Sequence, residues 1–112
     1  MSCLFCGIVA REIPATIVHE TDRTLAFRDL NAQAPTHVLV IPKDHQPDAA
    51  ALAEADPAYA GEVLAAAAAV ARQEGLTGGY RLVLNTGDDA GQTVHHLHVH
   101  VLGGRPMGWP PG

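Results

Sequence analysis

A chain of 112 residues has room for one domain and one core, and not for two. Twelve acidic residues against seven basic ones leave a net charge of −5, which repels a phosphate polyanion and excludes nucleic-acid binding through a broad basic face. The composition is 47% hydrophobic but only 4% aromatic, so Val, Leu, Ile and Ala must build the interior with few rings.

In chain order, Cys3 to Arg11 is expected as a short helix stopped by Pro14. Its apolar stretch, Leu4 to Ala10, is broken at Gly7 and followed by Arg11 and Glu12. That is too short for a signal-peptide core and far too short to span a bilayer. No other stretch is a membrane candidate, so a soluble cytoplasmic protein is the expectation. The two cysteines, Cys3 and Cys6, are spaced C-x-x-C. A structural disulfide is improbable in a reducing compartment. Metal ligands, a redox pair and two small apolar residues all remain open, and the redox reading is weakened because no strand precedes the motif.

Thr16 to His19 and Thr24 to Phe27 read as short strands joined by a turn, and His37 to Ile41 as a buried, β-branched strand ended by Pro42. Asp56-Pro57 is a helix start, with the carboxylate as N-cap and proline in the first turn. The helix should run through alanine-rich sequence to Glu74, stop at Gly75, and pack its stripe of Val63, Leu64, Ala67, Val70 and Ala71. Tyr80 to Leu84 is a fourth strand, Asn85 to Gln92 a Gly- and Asp-rich loop, and Val94 to Leu102 a fifth strand. Short turns between strands and one long helix between the third and fourth predict a single α+β domain over residues 1–112, with a five-stranded antiparallel sheet, that long helix and the short N-terminal one.

The segment His95-His96-Leu97-His98-Val99-His100 holds four of the chain's seven histidines. Alternation along a strand puts His96, His98 and His100 on one face and Leu97, Val99 and Val101 on the other. Next-but-one positions on a strand lie about 6.6 Å apart, so neighbouring imidazoles can share a metal while all three converge poorly. Nucleophilic and acid–base chemistry is the second possibility, because an imidazole with a free pKa near 6.5 is a competent nucleophile close to neutrality. A solvated histidine face fits badly with the strictly apolar alternate positions. Just before these residues, Gly91-Gln92-Thr93 offers backbone N–H groups, a side-chain amide and a hydroxyl able to cradle a phosphate.

The run His96-Leu97-His98-Val99-His100-Val101-Leu102 resembles the His-x-His-x-His signature of the histidine triad (HIT) family. Leu25 to Leu30, Gln33 to His37, Val40 to Lys43, Gly91-Gln92 and Gly103 to Arg105 extend the likeness over nearly the whole chain, and Trp109-Pro110-Pro111-Gly112 is similar to the ending of its Hint branch. The resemblance implies a HIT-like fold and hydrolysis of purine nucleoside phosphoramidates, such as adenosine 5′-monophosphoramidate, and of acyl- and aminoacyl-adenylates. His98 would attack the α-phosphorus, His100 would stabilise charge on a nonbridging oxygen, and His96 and His37 would orient the nucleophile or relay protons. Thr93, where the family more often has serine, would hydrogen-bond near the leaving group. Ile13, Phe27 and Leu30 would make the slot for the base, Asp29 would take the ribose hydroxyls, and Asn85 with the Gly91 and Gln92 backbone would contact the phosphate.

Some bacterial members bind zinc through positions matching Cys3, Cys6, His45 and His96, a two-sulfur, two-nitrogen set suited to a closed tetrahedral structural site. The chemistry itself needs no cofactor. The resemblance also implies a homodimer, with the long helix and last strand at the two-fold, the helix stripe packing closely there, and Trp109 near the partner's site. Two alternatives stand beside this reading: a dinucleoside polyphosphate hydrolase of the same superfamily, which the Trp-Pro-Pro-Gly ending argues against, and a zinc-stabilised nucleotide-binding module with little turnover.

Overall fold

The computed structural model describes residues 3–112. In chain order these form α1 (Leu4–Val9), β1 (Ile17–Glu20), β2 (Thr24–Arg28), β3 (Thr36–Pro42), α2 (Ala49–Ala55), α3 (Pro57–Gln73), β4 (Tyr80–Val83) and β5 (Val99–Gly103). The strands make one antiparallel sheet in the order β1-β2-β3-β5-β4. No helix among the described residues is long and apolar enough to cross a membrane.

Alternation in β2 and β3 divides the interior in two. Ala26, Val38 and Val40, with Val99 and Val101 of β5, face α3 and meet Val63, Ala67 and Val70. Leu25, Phe27, Leu39 and Ile41 point the other way and are covered by Phe5 and Ile8 of α1. The sheet therefore has a helix-covered side and a side that α1 closes only in part, and the histidines emerge on the latter.

The α3 ends follow local chemistry. Asp56 accepts a hydrogen bond from the Tyr59 N–H at 3.1 Å as N-cap, and Pro57 occupies the first turn. At the other end Gly75 (φ 73°) reverses the chain, its N–H reaching Arg72 O and that of Leu76 reaching Ala71 O. That pair of bonds is the Schellman stop, which needs a left-handed residue. The seven-residue α2, capped by Asp48, is absent from the sequence reading. Its alanine-rich sequence carries too little amphipathic pattern, although Asp48 before Ala49 is a usable N-cap signal.

Two expectations are corrected. The fifth strand begins at Val99, not Val94. Its ladder with β3 ends at the Val40–Val99 pair, close to Pro42, which has no N–H to continue it, and the Leu97 N–H instead donates to Gln46 O at 2.6 Å. The alternation nevertheless persists through the bend, because Leu97 still joins the α3 core while His96 and His98 lie against Phe5. The second correction concerns the α3 stripe, expected to pack closely at a two-fold. Val63, Ala67, Val70 and Ala71 are buried on the chain's own sheet, and only Leu64 points outward, 48% exposed. An amphipathic helix spends its apolar face on the nearest apolar layer, here the sheet.

Candidate active site

The sheet register brings the reactive side chains together. Leu39 is paired with both Phe27 and His100, so these three form a row across β2, β3 and β5. His37 lies two residues before Leu39 on the same face, diagonal to His100, and their ring centroids are 5.2 Å apart. His98, one alternation before His100, sits 4.9 Å from it ring to ring. Phe5 of α1, only 4% exposed, meets His98 edge-on at 5.1 Å, His96 at 5.8 Å and Phe27 at 5.5 Å. Its place in this aromatic packing was missed from the sequence, although its position between the cysteines on a predicted helix was the available signal.

Hydrogen-bond partners set the state of each ring. A carbonyl can only accept, so His98 Nδ1, 2.8 Å from His96 O, carries the proton and leaves Nε2 with its lone pair. The Gln33 N–H donates to His37 Nδ1 at 3.0 Å, so the His37 proton is on Nε2, which faces His100 Nδ1 at 2.9 Å. His100 is then protonated on Nε2, a donor free for another acceptor. Asp29 Oδ2 stands 3.3 Å from His37 Nε2 as a second, weaker acceptor. His96 donates from Nε2 to Pro42 O at 2.8 Å, turning the lone pair of Nδ1 toward the cysteines.

Burial pushes the His37 pKa down, against a smaller opposing effect of Asp29. Burial, with His98 and His37 nearby, pushes His100 down to about 4. Both rings are neutral near pH 7. An unfolded imidazole takes up a proton near pH 6.5, whereas these folded rings resist, so their contribution to stability is fully present above pH 6.5 and is lost as the pH falls toward about 4. Urea midpoints should therefore drop from about pH 7 to about pH 5, and less so in a His100→Asn variant; equal slopes in the two proteins would refute the assignment.

A cavity of about 300 Å³ opens beside these rings, lined among others by Ile13, Phe27, Asp29, Leu30, Thr93, His98 and His100. That is the lower end of the size range of small-molecule sites. Gly7 lets the wall close, since a Cβ there would lie 2.5 Å from Ile13 Cδ1. Leu30 lines the cavity yet is 100% exposed, an unsupported apolar rim. Of the three triad imidazoles, His96 is fully buried and does not line it. Asn85, Gly91 and Gln92, expected at a phosphate, also lie outside the lining. The Gly91 and Gln92 N–H groups donate to Asp88 O and Gly87 O, and the Gln92 side chain binds the Gly87 N–H, Pro47 O and Val94 O. Gln92 is thus the brace of its loop. No signal in the sequence separates a brace from a ligand contact.

On the far side of Phe5, Cys3, Cys6, His45 and His96 bring one ligand atom each within 4.8 Å of one another. Cys3 Sγ and Cys6 Sγ lie 3.4 and 3.6 Å from His96 Nδ1, and Cys6 Sγ lies 3.4 Å from His45 Nδ1. Ordinary zinc bond lengths at a tetrahedral angle put sulfur and nitrogen ligands about 3.5 Å apart, so these three separations suit a tetrahedral ion. Without a metal, partial burial and the adjacent Cys3 push the Cys6 thiol pKa up.

Fold and site together define an α+β protein whose cavity is lined by two imidazoles, one with an open Nε2 lone pair and one with an Nε2–H, beside a cluster of two cysteines and two histidines. The HIT domain model matches residues 10–107. A 14 kDa zinc-binding protein of Zea mays is 50% identical over 111 residues, spanning 97% of this chain and 87% of that one. An uncharacterized HIT-like protein of Synechococcus elongatus is 53% identical over 109 residues, 97% of this chain and 96% of the relative. The crystal structure of a HIT family hydrolase from Legionella pneumophila Philadelphia 1 superposes with a TM-score of 0.95 at 49% identity, covering 99% of this chain and 100% of that one. The chain belongs to the HIT domain family.

Proposed function

We propose that this protein hydrolyses purine nucleoside phosphoramidates and acyl-nucleotides through a nucleotidyl-histidine intermediate. The observation that carries the reading is the His98 ring, whose Nδ1 is bonded to the His96 carbonyl so that the Nε2 lone pair is available beside the cavity. Nε2 would attack the α-phosphorus while the P–N bond breaks and the amine departs with a proton taken from solvent water, which the hydrolysing water of the second step returns. From an acyl-nucleotide the P–O bond breaks and the carboxylate departs without one. Water then cleaves the N–P bond to His98, releasing the nucleoside monophosphate and restoring the imidazole. The Nε2–H of neutral His100 would donate to a nonbridging oxygen, holding charge that grows in the transition state. Thr93 would bond near the leaving group. Ile13, Phe27 and Leu30 would flank the base, and Asp29, at the cavity wall, would accept from the ribose hydroxyls.

Cys3, Cys6, His45 and His96 would hold a structural Zn²⁺, which supplies no step of the reaction and ties α1 to the histidine segment. The reading includes a homodimer, favoured by the outward Leu64 and by Tyr80 and Leu84, exposed at the edge strand β4 and just beyond it. Trp109, 83% exposed in the single chain, would lie near the partner's cavity.

The test compares a tryptamine–adenosine phosphoramidate with a diadenosine polyphosphate on one preparation, whose sedimentation should give twice the 11.7 kDa chain mass. Faster cleavage of the phosphoramidate is expected. A better diadenosine substrate would replace this reading with the polyphosphate hydrolase, and binding of AMP without cleavage of either would leave a binding module. A single-chain mass at micromolar concentration would remove the dimer alone.

A further inference from the structure

The imidazole pair His37–His100 is oriented from a place outside the cavity. Arg105 Nη2 donates to Gln33 O at 3.0 Å, and the N–H of the same Gln33 donates to His37 Nδ1 at 3.0 Å. From there the His37 Nε2 proton meets His100 Nδ1 at 2.9 Å. Gly104, the residue before Arg105, adopts φ 91°, and a Cβ there would lie 2.8 Å from Pro35 Cβ. The turn after β5 is thus pressed onto the Gln33–Pro35 loop, and the adjoining Thr36–Gly103 register pair keeps it in line. The arrangement leaves Arg105 directly over Gln33.

The geometry points to Arg105 as a positioning residue for the reaction, acting through the Gln33 backbone, whose C=O and N–H lie in successive peptide units, to hold His37, and therefore His100, in the tautomer that offers an Nε2–H to substrate. This rests on the proposed role of His100 as donor to a phosphate oxygen. If the Gln33 N–H drifts from His37 Nδ1, the His37 proton is free to move to Nδ1. His37 Nε2 then presents a lone pair to His100 Nδ1, which must carry a proton itself. His100 Nε2 becomes an acceptor facing the substrate's oxygen, and the stabilising contact turns repulsive. A ring held in the wrong tautomer loses its chemistry while its position is kept.

Long-range ¹H–¹⁵N correlation spectra of the ligand-free protein read the tautomers directly. In the natural protein His37 and His100 should be protonated at Nε2 and His98 at Nδ1. Arg105→Met should give a mixture at His37 and His100 and a fall in kcat of about fivefold, the population shift expected from one lost hydrogen bond, with KM little changed. Arg105→Lys, which keeps a donor, should recover most of both signals. Unchanged tautomers in Arg105→Met overturn the proposal, whatever happens to kcat, and so do shifted tautomers with kcat intact. If the natural protein cleaves no phosphoramidate, the substrate reading fails, yet the spectra still decide whether Arg105 sets the rings.

Discussion

His98→Asn should lower kcat by on the order of 10⁴-fold or more, the scale seen when a covalent enzyme loses its nucleophile, while AMP binding measured by calorimetry stays within a few-fold. Asparagine is the informative replacement because its side-chain amide can still donate toward His96 O, the partner of His98 Nδ1, so the loss isolates the attacking nitrogen from the packing. The neighbours cannot substitute. His100 Nδ1 is held by His37, and the lone pair of His96 Nδ1 faces the cysteines. Rapid acid quenching of the natural protein during turnover should reveal a nucleotidyl adduct on the peptide containing His98, absent from the variant. A variant within tenfold of the natural rate, or an adduct on another residue, would rule out the assignment.

Metal removal should have the largest effect on stability. The four residues that could hold it come from the N-cap and first turn of α1, the segment after β3 and the residues before β5, so an ion there would join three stretches distant in sequence. A ligand at about a thousand times its Kd stabilises by about 4 kcal/mol, which for a domain near 100 residues is roughly 15 °C in Tm. Protein stripped with a chelator should melt lower by about that amount and recover with stoichiometric zinc but not with magnesium. At 25 °C the stripped protein should keep kcat within a few-fold, because no proposed step passes through the metal. Superimposable melting curves for stripped and zinc-loaded protein, with no zinc found on elemental analysis, would dismiss the centre.

Much of this architecture is legible residue by residue. Asp56-Pro57 and Gly75 bound α3 because capping and left-handed stops are local chemistry. The β-branched run of β3 and the alternating Val99 to Leu102 segment declare extended chain because a period of two is written in the side chains themselves. The ligand set Cys3, Cys6, His45 and His96 came from resemblance, as did Asp29 and Ile13 at the cavity, since nothing in their own neighbourhoods distinguishes them from turn, core or surface residues.

The local pattern already decided which imidazoles share a side, where the long helix starts and stops, and that the interior would be aliphatic. It could not decide that α3 turns Val63, Ala67 and Val70 inward, that Gln92 braces its loop, or that Phe5 lies against His98. Nor could it decide which nitrogen of each ring holds a proton. Several of those outcomes depend on distant partners, such as Gln92 with Pro47, 45 positions away, and His37 with His100, 63 positions away, while the short bonds from His98 to His96 O and from Gln33 to His37 form only in the folded backbone. Periodicity and caps are energies of neighbouring residues, whereas a tautomer or a ligand cluster exists only once the chain has closed on itself.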